Sequence, residues 1–427
     1  LKEPVNIKDI AFASLNKDAL LKRTHGDKYI WGIVLLLSLI SILVVYSATG
    51  SLAYKMNKGN NELYLLKQIG YIIMGLVFMY FLHRANYTVF SKFATIAFWL
   101  SIPLLIYTLF FGTTINEGSR WIKLPVINLT IQTSDIAKLS LFVYLSKVMS
   151  KKQEVIKDFK KGFLPLIIPV IIICALIMPA NLSNALLTGA TSLLLMFIGR
   201  VQIKHIALAI LVALIPLLLI ISVAWLTYDG AEQVEKKQSA TAEKLKSVGR
   251  FGTWVKRVQD HLFAPSTETP YQVQQAKIAI AKGSLLIGKG PGNSEQRNFL
   301  PQAYNDFIYA IIIEEYGLLG GAFICFIYLL FLYRCIRIFR KCPYAFGAFL
   351  ALALSFTLVI QAIANMAVNV NIVPVTGVTL PLISMGGSSF LFTCIAIGII
   401  LSVARNVEQL EGKVEEDKVE KVNEVAS

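Results

Sequence analysis

The chain has 427 residues, 56% of them hydrophobic and 16% charged. That balance excludes a soluble enzyme built around one large core and points to a protein that crosses a bilayer many times. The formal net charge of +15 lies mainly in short loops between apolar runs and in one long loop, as positive-inside topology requires, and no basic stripe with interleaved aromatics argues for nucleic acid.

Residues 1–28 form a polar segment without an apolar stretch and cleavage site, so the first membrane helix is expected to direct insertion. Lys17, Lys22, Arg23 and Lys28 precede a first span at Tyr29–Thr49 and place the N-terminus in the cytoplasm. Further spans are predicted at Gln68–Leu82 and Phe93–Phe111, followed by a short loop that carries Arg120, Trp121 and Lys123. A fourth span, Asp135–Met149, contains Lys138 and ends at a lysine-rich loop. Two runs, Leu164–Pro179 and Leu182–Ile198, are separated by so tight a turn that they must form an antiparallel pair. The seventh span, Ile206–Tyr228, leads to a polar stretch, 229–303, that lies outside by helix parity. An eighth span begins near Asp306, a ninth near Phe346, and a tenth runs to about Val403 after a loop rich in Pro and Gly. The expected fold is therefore all-α: a membrane domain, 29–404, of about ten transmembrane helices of roughly twenty residues each. It has a large extracytoplasmic loop between helices 7 and 8. The tail, 405–427, alternates charges with few bulky apolar groups and reads as a disordered cytoplasmic segment.

Five cysteines and four histidines are scattered without ligand or disulfide spacing, so no protein-built metal centre is expected. Gly283 to Gly290 nearly fits a phosphate loop, but Gly290 stands where the magnesium-binding hydroxyl belongs and Pro291 follows where a helix should propagate. A flexible Gly-rich loop bearing Lys289 is the better reading. Tyr271 to Ala281 reads as a short amphipathic helix with Gln272 and Gln275 on one face, and Arg250, Trp254 and Arg257 have the same spacing upstream. Gln132, Asp135 and Lys138 share a face of the fourth span, where Asp135 and Lys138 can neutralise each other.

Carboxylates deep in a membrane segment are costly and mark function by default. Asp306 stands at the mouth of the eighth span, and Glu314 lies roughly 12 Å deeper. Helix N-capping is the plain alternative for Asn305 and Asp306. Glu314 is expected to share a cavity, and Glu315 to pair with another span. Cations, a carboxylate and a Pro/Gly turn at one membrane face suit an anionic, lipid-linked substrate: the cations hold phosphates, and the carboxylate takes a proton from an attacking hydroxyl. Partial withdrawal from water makes such a carboxylate a stronger base.

The runs Gly118–Ile122, Gln132–Lys138, Tyr271-Gln272, Gly288–Ser294, Phe299-Leu-Pro with Asn-Asp-Phe-Ile and Glu-Glu-Tyr-Gly, and Pro374–Ser389 together resemble the SEDS family, which comprises FtsW, RodA and the sporulation homologue. The last of these runs is worded more like the division members. The resemblance implies a peptidoglycan glycosyltransferase that polymerises lipid II on the outer face of the bacterial inner membrane with a class B penicillin-binding transpeptidase and other divisome proteins. It places the catalytic Asp on Asp306, the loop Arg on Arg120 and the membrane Lys on Lys138. Trp121, Lys123, Gln272, Gln275, Lys289 and Glu314 complete the expected substrate contacts. A divalent cation, Mg or Mn, is expected with the substrate pyrophosphate, and no organic cofactor. Four positions depart from the family pattern: Thr133 stands for Pro, Asp135 for Glu, Asn181 for the Asp of a Pro-Asp turn, and Gln302 for a common Glu. A lipid II flippase and a non-catalytic scaffold remain the alternative classes.

Overall fold

A computed structural model describes residues 26–50, 62–115, 118–123, 130–227, 251–263, 270–284 and 286–426, with the side chains of 114–115, 118–120 and 411–426 outside that description. Lys17, Lys22, Arg23 and Arg250 lie outside the described residues. Twelve helices and one small sheet follow in order. They are α1 (Lys28–Ala48), α2 (Glu62–Arg84), α3 (Tyr87–Phe111), β1 (Thr113–Ile115), β2 (Gly118–Lys123), β3 (Thr130–Gln132), α4 (Thr133–Lys151), α5 (Leu164–Ile177), α6 (Leu182–Ile198), α7 (Ile203–Leu226), α8 (Phe251–Leu262), α9 (Tyr271–Lys282), α10 (Ile308–Lys341), α11 (Ala345–Asn369) and α12 (Ser388–Ala426).

Eight segments are long and apolar enough to cross a membrane, α5 among them only together with the π-helical turn Phe159–Phe163 that leads into it. The other two of the ten expected are α6, apolar but of 17 residues, and α4, whose 19 residues include buried Asp135, Lys138 and four buried or partly buried serines. The chain is thus an all-α, multi-pass membrane protein. α11 and α12 lie at its centre, 72% and 78% buried along their apolar windows, while α7 is only 11% buried and peripheral. α4 can be polar because it packs among α3, α5, α11 and α12 rather than against lipid.

Two features differ from the sequence reading. The loop after α3 is a three-stranded antiparallel sheet in the order β1-β2-β3, with Trp121 opposite Gln132, so it joins α3 to α4 as a pleated ribbon. The backbone of α12 runs on as helix to Ala426, through the tail for which disorder is expected above. Glu, Lys and Val dominate this stretch, and Lys413, Asp417 and Lys421 follow at four-residue intervals, a spacing that favours helix through opposite charges on adjacent turns.

At the end away from the site, Asp27 caps α1 by accepting from Tyr29 N–H (2.9 Å) and pairs with Arg334 Nε of α10 (2.8 Å), whose guanidinium lies 4.2 Å from the centre of the Tyr29 ring. Both partners are largely buried. Asp27→Asn, which strands Arg334, is expected to destabilise the protein by about 3 kcal/mol, read as a lowered unfolding temperature in detergent.

Candidate functional site

Asp306 is the last residue but one of a run of turns, 301–307, that enters α10. Three successive carbonyls of this run are held by other segments. Met385 N–H donates to Tyr304 O (3.0 Å), Ser384 Oγ donates to Asn305 O (2.7 Å), and Asn365 and Asn369 Nδ2 both donate to Asp306 O (2.8 and 3.0 Å). The Pro/Gly loop 373–387 and α11 therefore fix the backbone on which Asp306 stands. Beneath it, Phe307, Ala310 and Ile311 pack with Ala276 and Ala279 of α9, Leu300, Val368 and Ala48 in a separate apolar cluster. The cap position of α10 falls on Phe307, not on Asn305 or Asp306, and Asn369 Oδ1 accepts from Ala310 N–H (3.0 Å). Capping, the plain alternative for these residues, is thus taken over by a neighbouring helix. Asp306 is half-buried. The neighbouring Tyr304 hydroxyl is raised in pKa by burial first, then by the charges of Tyr64 and Asp306.

Next to this segment a small, partly open cavity lies between α4, α11 and α12, lined by Asp135, Lys138, Gln361, Thr357, Ser389 and Thr393 among others. Lys138 Nζ is 2.8 Å from Asp135 Oδ1, so the expected ion pair is present, nearly buried, while Asp135 Oδ2 has no hydrogen-bond partner among the described residues. Gln361, on the cavity wall, donates to Thr379 O (3.1 Å) and so connects the cavity to the loop that holds Asn305.

α10 breaks at Gly317, whose φ of 72° and ψ of −178° are open to glycine alone. The break frees carbonyls that the loop before Asp306 takes up: Lys289 N–H donates to Glu314 O and Gly290 N–H to Glu315 O (both 2.9 Å). A Cβ on Gly288 would lie 2.3 Å from the Glu315 carbonyl carbon, so this backbone-to-backbone approach admits no side chain there. The Gly-rich loop is therefore a wedge against a broken membrane helix.

Glu314 is fully buried, and its carboxylate accepts from Ser294 Oγ and from the N–H groups of Glu295 (3.1 Å) and Gln296 (3.3 Å). It caps the short 3₁₀ turn Gln296–Asn298, which gives it a loop-holding role in place of the expected cavity position. Glu315 accepts from Ser47 Oγ of α1, the pairing with another span that was expected, made here by a hydroxyl. Lys289 is 2.7 Å from Glu295 and 3.8 Å from Glu314. Hydrogen bonds from Lys282 and Lys289 hold the exposed Glu295 carboxyl at about 2, well below its usual range. Trp121 is half-buried and Lys123 exposed on β2; Arg120 lies on the same strand, its side chain outside the described residues. Gln272 and Gln275 are half-buried on α9. The structure thus gathers Asp306, α9, the wedge and the Pro/Gly loop, while Lys138 stands in the adjoining cavity. The carboxamides of α11, Gln361, Asn365 and Asn369, are site residues left unassigned in the sequence, although their four-residue spacing signals that they share one face.

Comparison with known proteins agrees. The family model described as "Cell cycle protein", FTSW_RODA_SPOVE, matches residues 27–409. A protein of Geobacter metallireducens named "Probable peptidoglycan glycosyltransferase FtsW" is 31% identical over 377 residues, covering 87% of this chain and 92% of that one. "Stage V sporulation protein E" of Bacillus subtilis is 29% identical, covering 90% and 98%. Among solved structures, a chain described under "Structural coordination of polymerization and crosslinking by a peptidoglycan synthase complex" aligns with a TM-score of 0.66 at 22% identity, covering 90% of this chain and 99% of that one. The rod-shape-determining protein RodA of Thermus thermophilus aligns at 0.59 and 20%, covering 89% and 97%; both likenesses speak for the fold. By the match across its whole membrane region, the chain belongs to the FtsW/RodA/SpoVE family of cell cycle proteins.

Proposed function

We propose that this protein is a peptidoglycan glycosyltransferase that polymerises lipid II on the outer face of the bacterial inner membrane during cell division, with both termini in the cytoplasm. The observation that carries the proposal is Asp306, set at a helix mouth on a backbone whose carbonyls are held by two other segments. The names of the relatives support the reaction class. The acceptor's sugar hydroxyl attacks the donor's anomeric carbon and gives its proton to the Asp306 carboxylate. The bond from that carbon to the undecaprenyl pyrophosphate breaks, and the leaving group departs with the electron pair. Arg120, Lys123 and Lys289 hold the diphosphate charge as it develops. Trp121, Gln272 and Gln275 contact the sugars, and Lys138 lies along the headgroup path.

Among the described residues no group of three or more His, Cys, Asp or Glu side chains could hold a metal ion. The described residues do not fit a resident cation, so Mg or Mn accompanying the pyrophosphate comes with the substrate. The partners are a class B penicillin-binding transpeptidase and other proteins of the division septum. The test is glycan-strand formation from lipid II by the purified protein with its transpeptidase. Strands are expected; their absence with a competent partner overturns the proposal.

A further inference from the structure

α11 carries three carboxamides, Gln361, Asn365 and Asn369, one turn apart and therefore in a row along one face. Each uses its amide donor on a carbonyl outside its own helix. Gln361 donates to Thr379 O (3.1 Å), Asn365 to Val378 O (2.7 Å) and Asp306 O (2.8 Å), and Asn369 to Asp306 O (3.0 Å). Asn365 and Asn369 are each 1% exposed, so neither is placed to touch a substrate. Buried amides in a membrane segment are costly unless paired, and one donor would already satisfy the Asp306 carbonyl. The second donor adds direction: two bonds from successive turns of a rigid helix fix both where that carbonyl lies and which way it points. Asn369 Oδ1 meanwhile accepts from Ala310 N–H (3.0 Å), so that group of the first turn of α10 is met from α11.

We infer that Asn365 and Asn369 are positioning residues for Asp306, holding its backbone in register with the Pro/Gly loop so that its carboxylate meets the acceptor hydroxyl. The inference rests on the assignment of Asp306 as the base. Asn365 ties the same carbonyl to Val378, so the base and the loop beside the cavity are set by one side chain. Gln361 extends the row to the cavity wall itself.

The test uses the full chain with its transpeptidase partner and lipid II, and reads kcat, KM and the pH profile per folded protein for Asn365→Ala and Asn369→Leu. The second variant is close to isosteric, adds no charge or titratable group beside Asp306, and leaves Ala310 N–H its bond to Phe307 O (3.2 Å), so it decides the matter should Asn365→Ala fail to fold. A displaced catalytic group is expected to lower kcat about 10- to 100-fold with KM within about twofold, and to displace the acid limb of the kcat profile. A merely structural role scales the profile through the amount of active protein and leaves its shape unchanged; that result overturns the inference. Asp306→Asn is run beside them. If Asp306→Asn is inactive and the amide variants keep the wild-type rate and profile, the inference alone falls. If Asp306→Asn polymerises normally, the base assignment falls and the inference with it.

Discussion

Asp306→Asn is expected to lower glycan-strand formation by about 10²- to 10⁴-fold, the usual contribution of a positioned general base. The substitution keeps the size of the side chain and alters no backbone contact, so the carbonyl bonds from Asn365 and Asn369 remain available. Protein yield and unfolding temperature should match wild type, and lipid II binding should change little. Turnover is the quantity that should collapse. Wild-type turnover in this variant would transfer the proton to another group and leave Asp306 with a structural role.

Gly317→Ala is the substitution expected to disturb the architecture most. The backbone there adopts φ 72° and ψ −178°, a region that side chains enter only with strain of about 1–3 kcal/mol. The added Cβ would also lie 2.8 Å from Leu286 O, and relieving that clash must separate the wedge from the helix. Together these effects should cost about 3 kcal/mol. The loop from Leu286 to Asn298 should become open to protease, because the bonds from Lys289 and Gly290 N–H to the carbonyls of Glu314 and Glu315 depend on this approach. Limited proteolysis and thermal unfolding in detergent read both effects. An unfolding temperature and cleavage pattern equal to wild type would show that the wedge keeps its place against α10 despite the added Cβ, and would overturn this expectation.

The membrane helices were legible because the bilayer imposes one dominant rule, an apolar run of sufficient length bounded by charge. Even α4 could be placed, since Asp135 and Lys138 at three-residue spacing announce a pair that neutralises itself, and they stand 2.8 Å apart. The sheet after α3 escaped notice because its strands are short and their pairing depends on register between residues such as Trp121 and Gln132, which local composition does not encode. The break in α10 escaped notice for another reason. A Gly in an apolar run is ordinarily tolerated as helix, and only the loop that docks there makes the broken form the favoured one. Asp306 could be found because a lone carboxylate at a membrane mouth is conspicuous. What holds it could not, since Asn365 and Asn369 reach its carbonyl across 59 and 63 residues of sequence, and Ser384 reaches that of Asn305 across 79. Glu314 was equally conspicuous, and the same depth of burial that suggested a cavity serves to cap a loop.

The polar character of α4 also bears on how the protein is made. A segment with an Asp and a Lys near its start is poorly suited to enter a bilayer alone, since each charge opposes insertion by about 2.5–3.5 kcal/mol at a helix centre. The strands β1 to β3 join α4 directly to α3, which is apolar enough to cross a membrane by itself. α3 can therefore carry α4 into the membrane as the second limb of a hairpin. There α4 remains dependent on α11 and α12, which the ribosome has yet to synthesise, to shield its ion pair from lipid.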